Sequence, residues 1–288
     1  MSPSLRVLVT GATGMLAHDL VPALRTAGHV VTAVGRGDLD VTDAGACTAA
    51  AAGHDLVVNC AAWTKVDDAE THEQEAFAVN AVGAANIARA AADAGARVVC
   101  ISTDYVFDGQ ATMPYAAEHP PSPRSAYGRT KVAGEWAVRA LCVDSWVVRT
   151  AWLYGAGGPN FVSTMLRLAG ECDTLDVVDD QQGQPTWTRD LADLIVRMIA
   201  ADAPAGTYHG TSTGRTTWHG LARAVFEARG LDPERVRPTR TDAFPRPAAR
   251  PAFSVLSHAT LEEAGITPIR DWLTAVKDFV DELPASTA

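Results

Sequence analysis

A tyrosine and a lysine lie four residues apart in the stretch "SAYGRTK" (125–131), which contains no proline. Tyr127 and Lys131 would therefore share one face of a helix, one turn apart. A free tyrosine has a pKa of about 10 and is a poor acid–base catalyst at neutral pH unless a nearby cation stabilises the phenolate. Lys131 could supply that cation. Because this spacing is common in helices, the pair alone does not establish chemistry.

A third candidate follows an apolar run that reads as a buried strand. In "ISTDYVFDG" (101–109), Ser102, Thr103 and Asp104 come directly after that run. Ligands of parallel-sheet proteins bind beyond the carboxyl ends of the strands, which is where these side chains would lie. The Thr103 hydroxyl could donate a hydrogen bond to the reacting oxygen of a substrate. We therefore expect Thr103 to join Tyr127 and Lys131 as a catalytic group.

The glycine-rich stretch "VTGATGMLA" (9–17) predicts a binding site for a dinucleotide. It follows the first strand-like run and opens the first helix-like run. Gly11 would allow the tight turn, and Gly14 would let the backbone approach a pyrophosphate at the helix N-terminus, where amide groups and the helix dipole favour anions. Ala17 stands where the third glycine of the fingerprint usually lies. The position at the start of an α/β domain strengthens a motif that is weak by itself.

The end of the second strand-like run indicates which dinucleotide is preferred. A site that prefers NAD usually has an acidic residue there, which accepts a hydrogen bond from the ribose 2′-hydroxyl. This sequence has "AVGRGD" instead, so Arg36 follows the run. A guanidinium suits a 2′-phosphate, which predicts NADPH as the cofactor, with NADH as the alternative. Asp40 and Asp43 could contact the adenine region or cap a helix.

Strand-like and helix-like segments alternate along the first half of the chain. Strands are predicted at 5–10, 29–35, 54–62, 96–103 and 145–155, and helices at 15–28, 73–95 and 126–141. This alternation specifies an α/β fold with a Rossmann-like, doubly wound parallel sheet. We expect an NAD(P)-binding domain over 1–150 and a smaller C-terminal domain, mainly substrate-binding, over 151–288. Elements near 175–212 are expected to return to the first domain.

Composition excludes several classes of function. The 288 residues are 47% hydrophobic and 20% charged, as in ordinary globular proteins, and no apolar run is long enough to span a membrane. The formal net charge of −10 argues against a nucleic-acid partner. The five cysteines are scattered and the histidines lack metal-ligand spacing, so we predict no metal site, no disulfide framework and a reduced, cytoplasmic location. The N-terminus does not read as a secretory signal.

Several motifs in order resemble one family. A TGxxGxxA turn, a threonine after a later strand and a Tyr-x-x-x-Lys helix are similar to the extended short-chain dehydrogenases/reductases. The match to the dTDP-4-dehydrorhamnose reductase family is closer and runs from about residue 5 to 283. It is carried by "NCAAWTKVDDAE", "VNAVGAANIARAA", "ISTDYVFDG", "PRSAYGRTKVAGE", "VVRTAWLYG", "NFVSTMLRLA", "VVDDQQGQPTWTRDLA" and "RPAFSVL".

The resemblance implies reduction of the C4 keto group of a dTDP-4-keto-6-deoxy-L-sugar with NADPH. Tyr127 would donate the proton, Lys131 would bind the nicotinamide ribose and lower the tyrosine's pKa, and Thr103 would bond the C4 oxygen. It implies the cofactor contacts Gly11, Thr13, Gly14, Met15, Leu16, Arg36, Asp40, Val41, Cys60, Ala61, Ala62, Tyr127 and Lys131. It implies the substrate contacts Thr103, Asp104, Tyr105, Trp152, Asn160, Gln184 and Arg250. Core packing of Trp152 and a structural ion pair of Arg250 are the alternatives.

Other functions remain open at this point. A relative of the same fold could reduce another dTDP-4-keto-6-deoxysugar in antibiotic biosynthesis, including the dihydrostreptose precursor. An NDP-sugar epimerase would keep NAD⁺ bound, which Arg36 disfavours. A non-catalytic, NADP-binding regulatory subunit is disfavoured because Thr103, Tyr127 and Lys131 are all present. The chain is expected to be a monomer or a homodimer.

Overall fold

The computed structural model describes residues 3–284, so the outer ends of the two expected domain ranges lie outside it. Its strands are β1 (Arg6–Thr10), β2 (Val30–Val34), β3 (Leu56–Asn59), β4 (Arg97–Thr103), β5 (Ser145–Thr150), β6 (Leu153–Tyr154), β7 (Leu175–Val178), β8 (Gln182–Gly183), β9 (Thr186–Trp187), β10 (Gly206–His209), β11 (Ser212–Thr213), β12 (Thr216–Thr217), β13 (Val236–Thr239) and β14 (Ile269–Asp271). Its α-helices are α1 (Met15–Thr26), α2 (Ala44–Ala51), α3 (Glu73–Phe77), α4 (Ala84–Asp93), α5 (Ala126–Leu141), α6 (Phe161–Glu171), α7 (Thr188–Ala200), α8 (Trp218–Ala228), α9 (Ala259–Glu263) and α10 (Trp272–Glu282).

A six-stranded parallel sheet in the order β10-β5-β4-β3-β1-β2 forms the centre of the molecule. β3 and β5 are buried along their whole length, because helices cover both faces of the sheet. One face packs on α1 and α7, and the other on α2, α4 and α5. The predicted α/β fold with a Rossmann-like sheet is confirmed.

The C-terminal part of the chain forms a smaller region with its own apolar core. That core lies between α6, α8 and α10 and includes Val162, Phe226 and Phe279. The short parallel pair β7 and β13 packs on α8. β10 instead joins β5 at the edge of the main sheet, and α7 packs on α1. Among residues 3–284, no helix has the length and apolar character needed to cross a membrane.

The strand expected over 54–62 is shorter in the structure, at Leu56–Asn59, and two other predicted elements differ in their course. The strand expected over 145–155 ends at Thr150, because Trp152 adopts a left-handed backbone conformation with φ of 48° and the chain turns away. β6 then pairs with β9 rather than with the main sheet. The helix expected over 73–95 contains a π-helical segment at Ala78–Gly83. There the side chain of Asn80 bonds both backbone groups of Trp63, at 2.8 and 3.1 Å.

Candidate active site

One cleft of about 760 Å³ opens along the carboxyl ends of β1, β3, β4 and β5. Parallel sheets bind ligands at this edge. The structure brings together there most of the residues predicted from the sequence: Gly11, Thr13, Gly14, Met15, Leu16, Arg36, Asp40, Val41, Cys60, Ala61, Ala62, Thr103, Asp104, Tyr105, Tyr127, Lys131 and Trp152. Asn160, Gln184 and Arg250 lie outside the lining of this cleft.

The glycine turn is shaped for close approach of a ligand to the backbone. Gly11 has φ of 66°, and a Cβ added there would lie 2.7 Å from the Ala61 backbone nitrogen, so only glycine fits. Gly14 is the N-cap of α1 in extended conformation, and its N–H bonds Gly11 O at 2.9 Å. The N-terminus of α1 therefore faces the cleft with the amide groups and dipole that favour a pyrophosphate. These residues fit a dinucleotide.

The rim of the cleft carries one guanidinium beside a tight turn. Arg36 is exposed and lines the cleft directly after β2. The nearby carboxylates are used by the turn itself: Asp38 accepts from Gly35 N at 2.9 Å, and Asp40 accepts from Thr42 N at 2.9 Å. The hydrogen bonds from Thr42 hold the pKa of Asp40 below its usual value. Asp43, rather than Asp40, caps α2. The positive charge of Arg36 is therefore the feature at this rim that suits a phosphate.

Tyr127 and Lys131 lie one turn apart on α5, as the sequence predicts. Ser125 caps the helix by accepting a hydrogen bond from Gly128 N at 3.1 Å, which fixes where α5 begins. Tyr127, Lys131 and Thr103 are all at least nine-tenths buried, at 9%, 6% and 6% exposure. The Lys131 Nζ donates to Ile101 O at 2.7 Å, on the strand that ends at Thr103. The three side chains meet where β4 ends against α5.

The Tyr127 phenol holds its proton more tightly than a free tyrosine does. Burial raises its pKa, a hydrogen bond with Thr103 lowers it in part, and the Asp104 charge raises it again. We expected Lys131 to lower this pKa, but the ammonium is bound to Ile101 O and the phenol remains an acid at neutral pH. A phenol that keeps its proton until a negative oxygen forms beside it is suited to protonating that oxygen.

Asp104 and Tyr105 form the floor of the cleft beside Tyr127. The two tyrosine rings of this floor, Tyr105 and Tyr127, pack edge to face at 5.7 Å. Asp104 is 2% exposed, and burial raises its pKa to about 6 although Ser254 and Thr103 lower it. Because the folded-state value lies above that of the unfolded chain, about 3.9, this carboxyl costs stability once the pH rises through its folded pKa.

A buried ion pair lies beneath the cleft and was not predicted. Arg149 on β5 and Glu135 on α5 are each 2% exposed and form two hydrogen bonds, at 2.9 and 2.7 Å. Ser102 donates to the same carboxylate at 2.5 Å, and Arg149 also donates to Ala117 O. Glu135 lies one turn after Lys131 on the same face of α5. The network therefore ties the helix that carries Tyr127 to β4 and β5.

Trp152 forms one wall of the cleft and is not a plain core residue. Its ring stacks on that of Trp218 at 3.7 Å, with an angle of 10° between the planes. Gly183 lies against the indole, since a Cβ added there would approach Trp152 Cε2 to 2.5 Å. Trp218 is held in turn by a hydrogen bond from its Nε1 to Gln181 Oε1 at 3.1 Å. Trp152 is thus fixed between two segments of the C-terminal region.

Comparison with known proteins identifies the family. A family profile described as "RmlD substrate binding domain" matches residues 5–285 of the chain. The chain belongs to the RmlD family of dTDP-4-dehydrorhamnose reductases. A dTDP-4-dehydrorhamnose reductase of Streptomyces griseus is 52% identical over 96% of this chain and 93% of its own length. The dTDP-4-dehydrorhamnose reductase of Bacillus anthracis, crystallised with NADP, is 36% identical, with a TM-score of 0.93 over 98% of this chain and 100% of that one.

Relatives with other named substrates are nearly as similar. A dTDP-4-keto-6-deoxy-D-glucose reductase of Streptomyces niveus is 50% identical over 94% of this chain and 95% of its own length. That value differs by two percentage points from the 52% of the Streptomyces griseus reductase. Identity alone therefore does not separate these two named activities.

Three predicted substrate contacts have partners within the protein. Asn160 is the N-cap of α6, where its Oδ1 accepts from Ser163 N and its Nδ2 donates to Gly155 O. The Gln184 Oε1 accepts from Thr211 Oγ1 and Leu256 N, at 2.9 and 2.8 Å. Arg250 is paired with Asp67 at 2.7 Å, beside Tyr105. Their contact with an RmlD substrate stays a prediction, and their visible contacts stabilise loops.

Four residues that were not predicted from the sequence owe their role to contacts with residues far away along the chain. Glu135, Arg149, Gly183 and Trp218 belong to this group. One signal was available, because "SWVVRT" contains a charged residue in an apolar run that must be buried. A buried arginine needs a carboxylate, and Glu135 lies one turn after Lys131. Within the described part of the chain, no three His, Cys, Asp or Glu side chains are grouped to hold a metal ion.

Proposed function

We propose that the chain reduces the C4 keto group of dTDP-4-dehydro-6-deoxy-L-mannose (dTDP-4-dehydrorhamnose) to give dTDP-L-rhamnose, with NADPH as the cofactor. The observation that carries the proposal is the meeting of Thr103, Tyr127 and Lys131 in the cleft that also holds the glycine turn. The Streptomyces griseus relative that bears the name of this activity aligns over nearly the whole chain.

Different residues of the cleft bind the cofactor, donate the proton and stabilise the oxyanion. Gly11, Gly14 and the N-terminus of α1 bind the pyrophosphate, and Lys131 binds the nicotinamide ribose. When bound, NADPH supplies the hydride that C4 receives. Tyr127 donates its proton to the C4 oxygen, and Thr103 donates a hydrogen bond to the same oxygen as negative charge develops. The buried floor of the cleft excludes water, which strengthens both interactions.

Arg36 is the residue that we assign to the choice of NADPH over NADH. Replacing Arg36 by alanine should raise the Kd of NADPH about tenfold, because a hydrogen bond to a charged group is worth about 1.5 kcal/mol or more. The Kd of NADH should change by less than about twofold. Quenching of tryptophan fluorescence measures both constants, and Arg25→Ala, at the far end of α1, is the matched control. Equal losses for the two cofactors would refute the 2′-phosphate contact.

We propose that Gly183 sets the position of Trp152, the cleft wall that we expect to contact the sugar. Gly183→Ala puts a methyl group into the Trp152 indole, so the ring must move. We expect the KM of the sugar nucleotide to rise about tenfold, the usual effect of one methylene in a pocket, while the Kd of NADPH is unchanged. Gly170→Ala is the matched control, since nothing lies within 4 Å of the added atom. An unchanged KM in Gly183→Ala would show that Trp152 does not contact the sugar.

A second candidate substrate is supported by the Streptomyces niveus relative at 50% identity. The two sugars differ in ring stereochemistry and would be read by the same wall at Trp152. Wild-type kcat/KM should be compared for the 4-keto-L-sugar and for the 4-keto-D-glucose form, each followed by loss of NADPH absorbance. A ratio of at least tenfold in favour of the L-sugar is expected. A ratio in the other direction would replace the proposed substrate by the D-sugar.

The same assay separates the remaining alternatives. An epimerase would convert the sugar without net consumption of NADPH, and a regulatory subunit would bind NADPH without turnover.

Within the proposal, residues 1–150 form the cofactor domain, residues 151–288 mainly form the substrate domain, and segments near 175–212 return to the first. A cytoplasmic location and a monomeric or homodimeric state stay predictions.

A further inference from the structure

The Thr103 hydroxyl has one proton, which either Asp104 or a substrate oxygen could accept in a hydrogen bond. In the structure it donates to Asp104 Oδ1 at 3.0 Å, its oxygen accepts from Tyr105 N at 3.2 Å, and it is also in hydrogen-bond contact with the Tyr127 phenol. A hydroxyl can donate only one hydrogen bond at a time. While the Asp104 carboxylate holds this proton, Thr103 cannot donate to a substrate oxygen in the cleft.

The Asp104 carboxyl is stabilised by hydroxyl and backbone groups rather than by a cation. Asp104 Oδ2 is buried without a hydrogen bond of good geometry, and the nearby Ser254 hydroxyl lowers the Asp104 pKa by a hydrogen bond to the carboxyl. A buried carboxylate is normally paired with a cation, as Glu135 is with Arg149. Among residues 3–284, Asp104 has no such salt bridge. Burial without a cation favours the neutral acid, whereas the hydrogen bonds favour the anion, so both forms of Asp104 occur near its raised pKa.

We propose that Asp104 is a positioning residue whose protonation decides where the Thr103 hydroxyl donates. The neutral acid donates a hydrogen bond from its own O–H to Thr103 Oγ1, and the Thr103 hydroxyl is then free to donate a hydrogen bond to the substrate oxygen. The ionised form accepts the hydrogen bond from the Thr103 hydroxyl, and the substrate oxygen then has Tyr127 as its donor. No bond to carbon changes in this step. The inference rests on the proposed reduction, in which Thr103 stabilises the developing oxyanion.

Asp104 is the group of this neighbourhood that titrates near neutral pH. Tyr105 and Tyr127 face it from its own turn and from α5, and burial raises the pKa of both phenols, so they stay neutral. On the C-terminal side, burial lowers the pKa of His209 to about 3 and also lowers that of His258. Lys131 and the Arg250–Asp67 ion pair are further charged groups beside Asp104. The pKa of Asp104, raised to about 6 by burial, falls within the range in which the enzyme can be assayed.

The test is the pH dependence of kcat/KM for the dTDP-4-keto-sugar. In wild type, kcat/KM should fall by about 10²-fold as the pH rises through about 6, which is the effect of one lost oxyanion donor. Asp104→Asn cannot ionise at residue 104, so its kcat/KM should show no such fall. Thr103→Val should also show no fall, with a kcat/KM that is low at every pH. Asp108→Asn, in the same loop, is the matched control and should keep the step. A step that persists in Asp104→Asn or Thr103→Val, or is absent from an active wild type, overturns the proposal.

A second measurement needs no turnover. Relative to wild type, the thermal unfolding midpoint of Asp104→Asn should rise as the pH increases from about 4 to about 6 and then level off, because wild type buries an ionised Asp104 only above its folded pKa. A difference that does not change with pH overturns the assignment of the titration to Asp104. If wild type binds NADPH but reduces no 4-keto-sugar, the proposed function fails, and this measurement still decides the protonation of Asp104.

Discussion

Replacing Tyr127 by phenylalanine is expected to lower kcat/KM by about 10²- to 10⁴-fold, the range that general acid catalysis contributes in enzymes. We assign the phenol as the proton donor to the substrate oxygen. Its raised pKa keeps it protonated at neutral pH. The ring itself packs on Tyr105 and is preserved by phenylalanine. NADPH binding should therefore remain within about twofold of wild type.

The comparison variant for Tyr127→Phe is Tyr208→Phe. The Tyr208 hydroxyl donates to Pro204 O at 2.7 Å, on β10 and away from the cleft lining. This variant also removes one buried phenol oxygen, but we expect its kcat/KM to stay within about threefold of wild type. Stopped-flow measurement of NADPH loss gives the chemical step in both variants. A Tyr127→Phe enzyme as active as Tyr208→Phe would remove Tyr127 from the mechanism.

The second large effect is on stability and comes from the Arg149–Glu135 pair. Replacing Arg149 by methionine should lower the free energy of unfolding by about 3–5 kcal/mol, because it leaves a buried carboxylate without its cation. Both partners are 2% exposed, so solvent cannot compensate for the loss. Urea unfolding followed by circular dichroism measures the difference. The dependence of the free energy of unfolding on urea concentration (the m-value) should be unchanged.

Two further variants separate charge burial from loss of packing. The double variant Arg149→Met, Glu135→Leu removes both charges and should recover most of the lost stability, since apolar residues of similar size can replace a buried pair. Arg167→Met breaks the exposed pair with Glu171 and should cost less than about 1 kcal/mol. If the double variant is no more stable than Arg149→Met alone, the cost comes from packing rather than from the unpaired charge.

The elements that the sequence predicts well are those specified by local pattern. α5 begins and ends where its helical spacing predicts, because Ser125 caps it and the apolar residues recur at helical intervals. The glycine turn could be predicted because Gly11 and Gly14 reflect a backbone requirement within a few residues. Tyr127, Lys131 and Thr103 follow from the same local patterns and from the rule that ligands bind at the strand ends.

The parts that the sequence did not predict depend on contacts between distant segments. The strand expected to reach residue 155 ends at Thr150 because Trp152 turns to stack on Trp218, a contact across 66 residues of chain. Asn160 caps α6, which its motif did not reveal, and its contact with the substrate stays a prediction. The pKa of Tyr127 is set mainly by burial, which no pair spacing reveals. Local pattern therefore locates the cleft, while the long-range packing determines its chemistry.

The most direct test of the central claim follows the hydrogen that reaches C4. Wild-type enzyme is incubated with dTDP-4-dehydrorhamnose, made from dTDP-glucose by the two upstream enzymes, and with NADPH deuterated at nicotinamide C4 on the transferred face. The product is examined by NMR spectroscopy. We predict dTDP-L-rhamnose with deuterium at C4, in an amount equal to the NADPH consumed. Conversion of the sugar without deuterium at C4, or bound NADPH with no rhamnose product, would contradict the account.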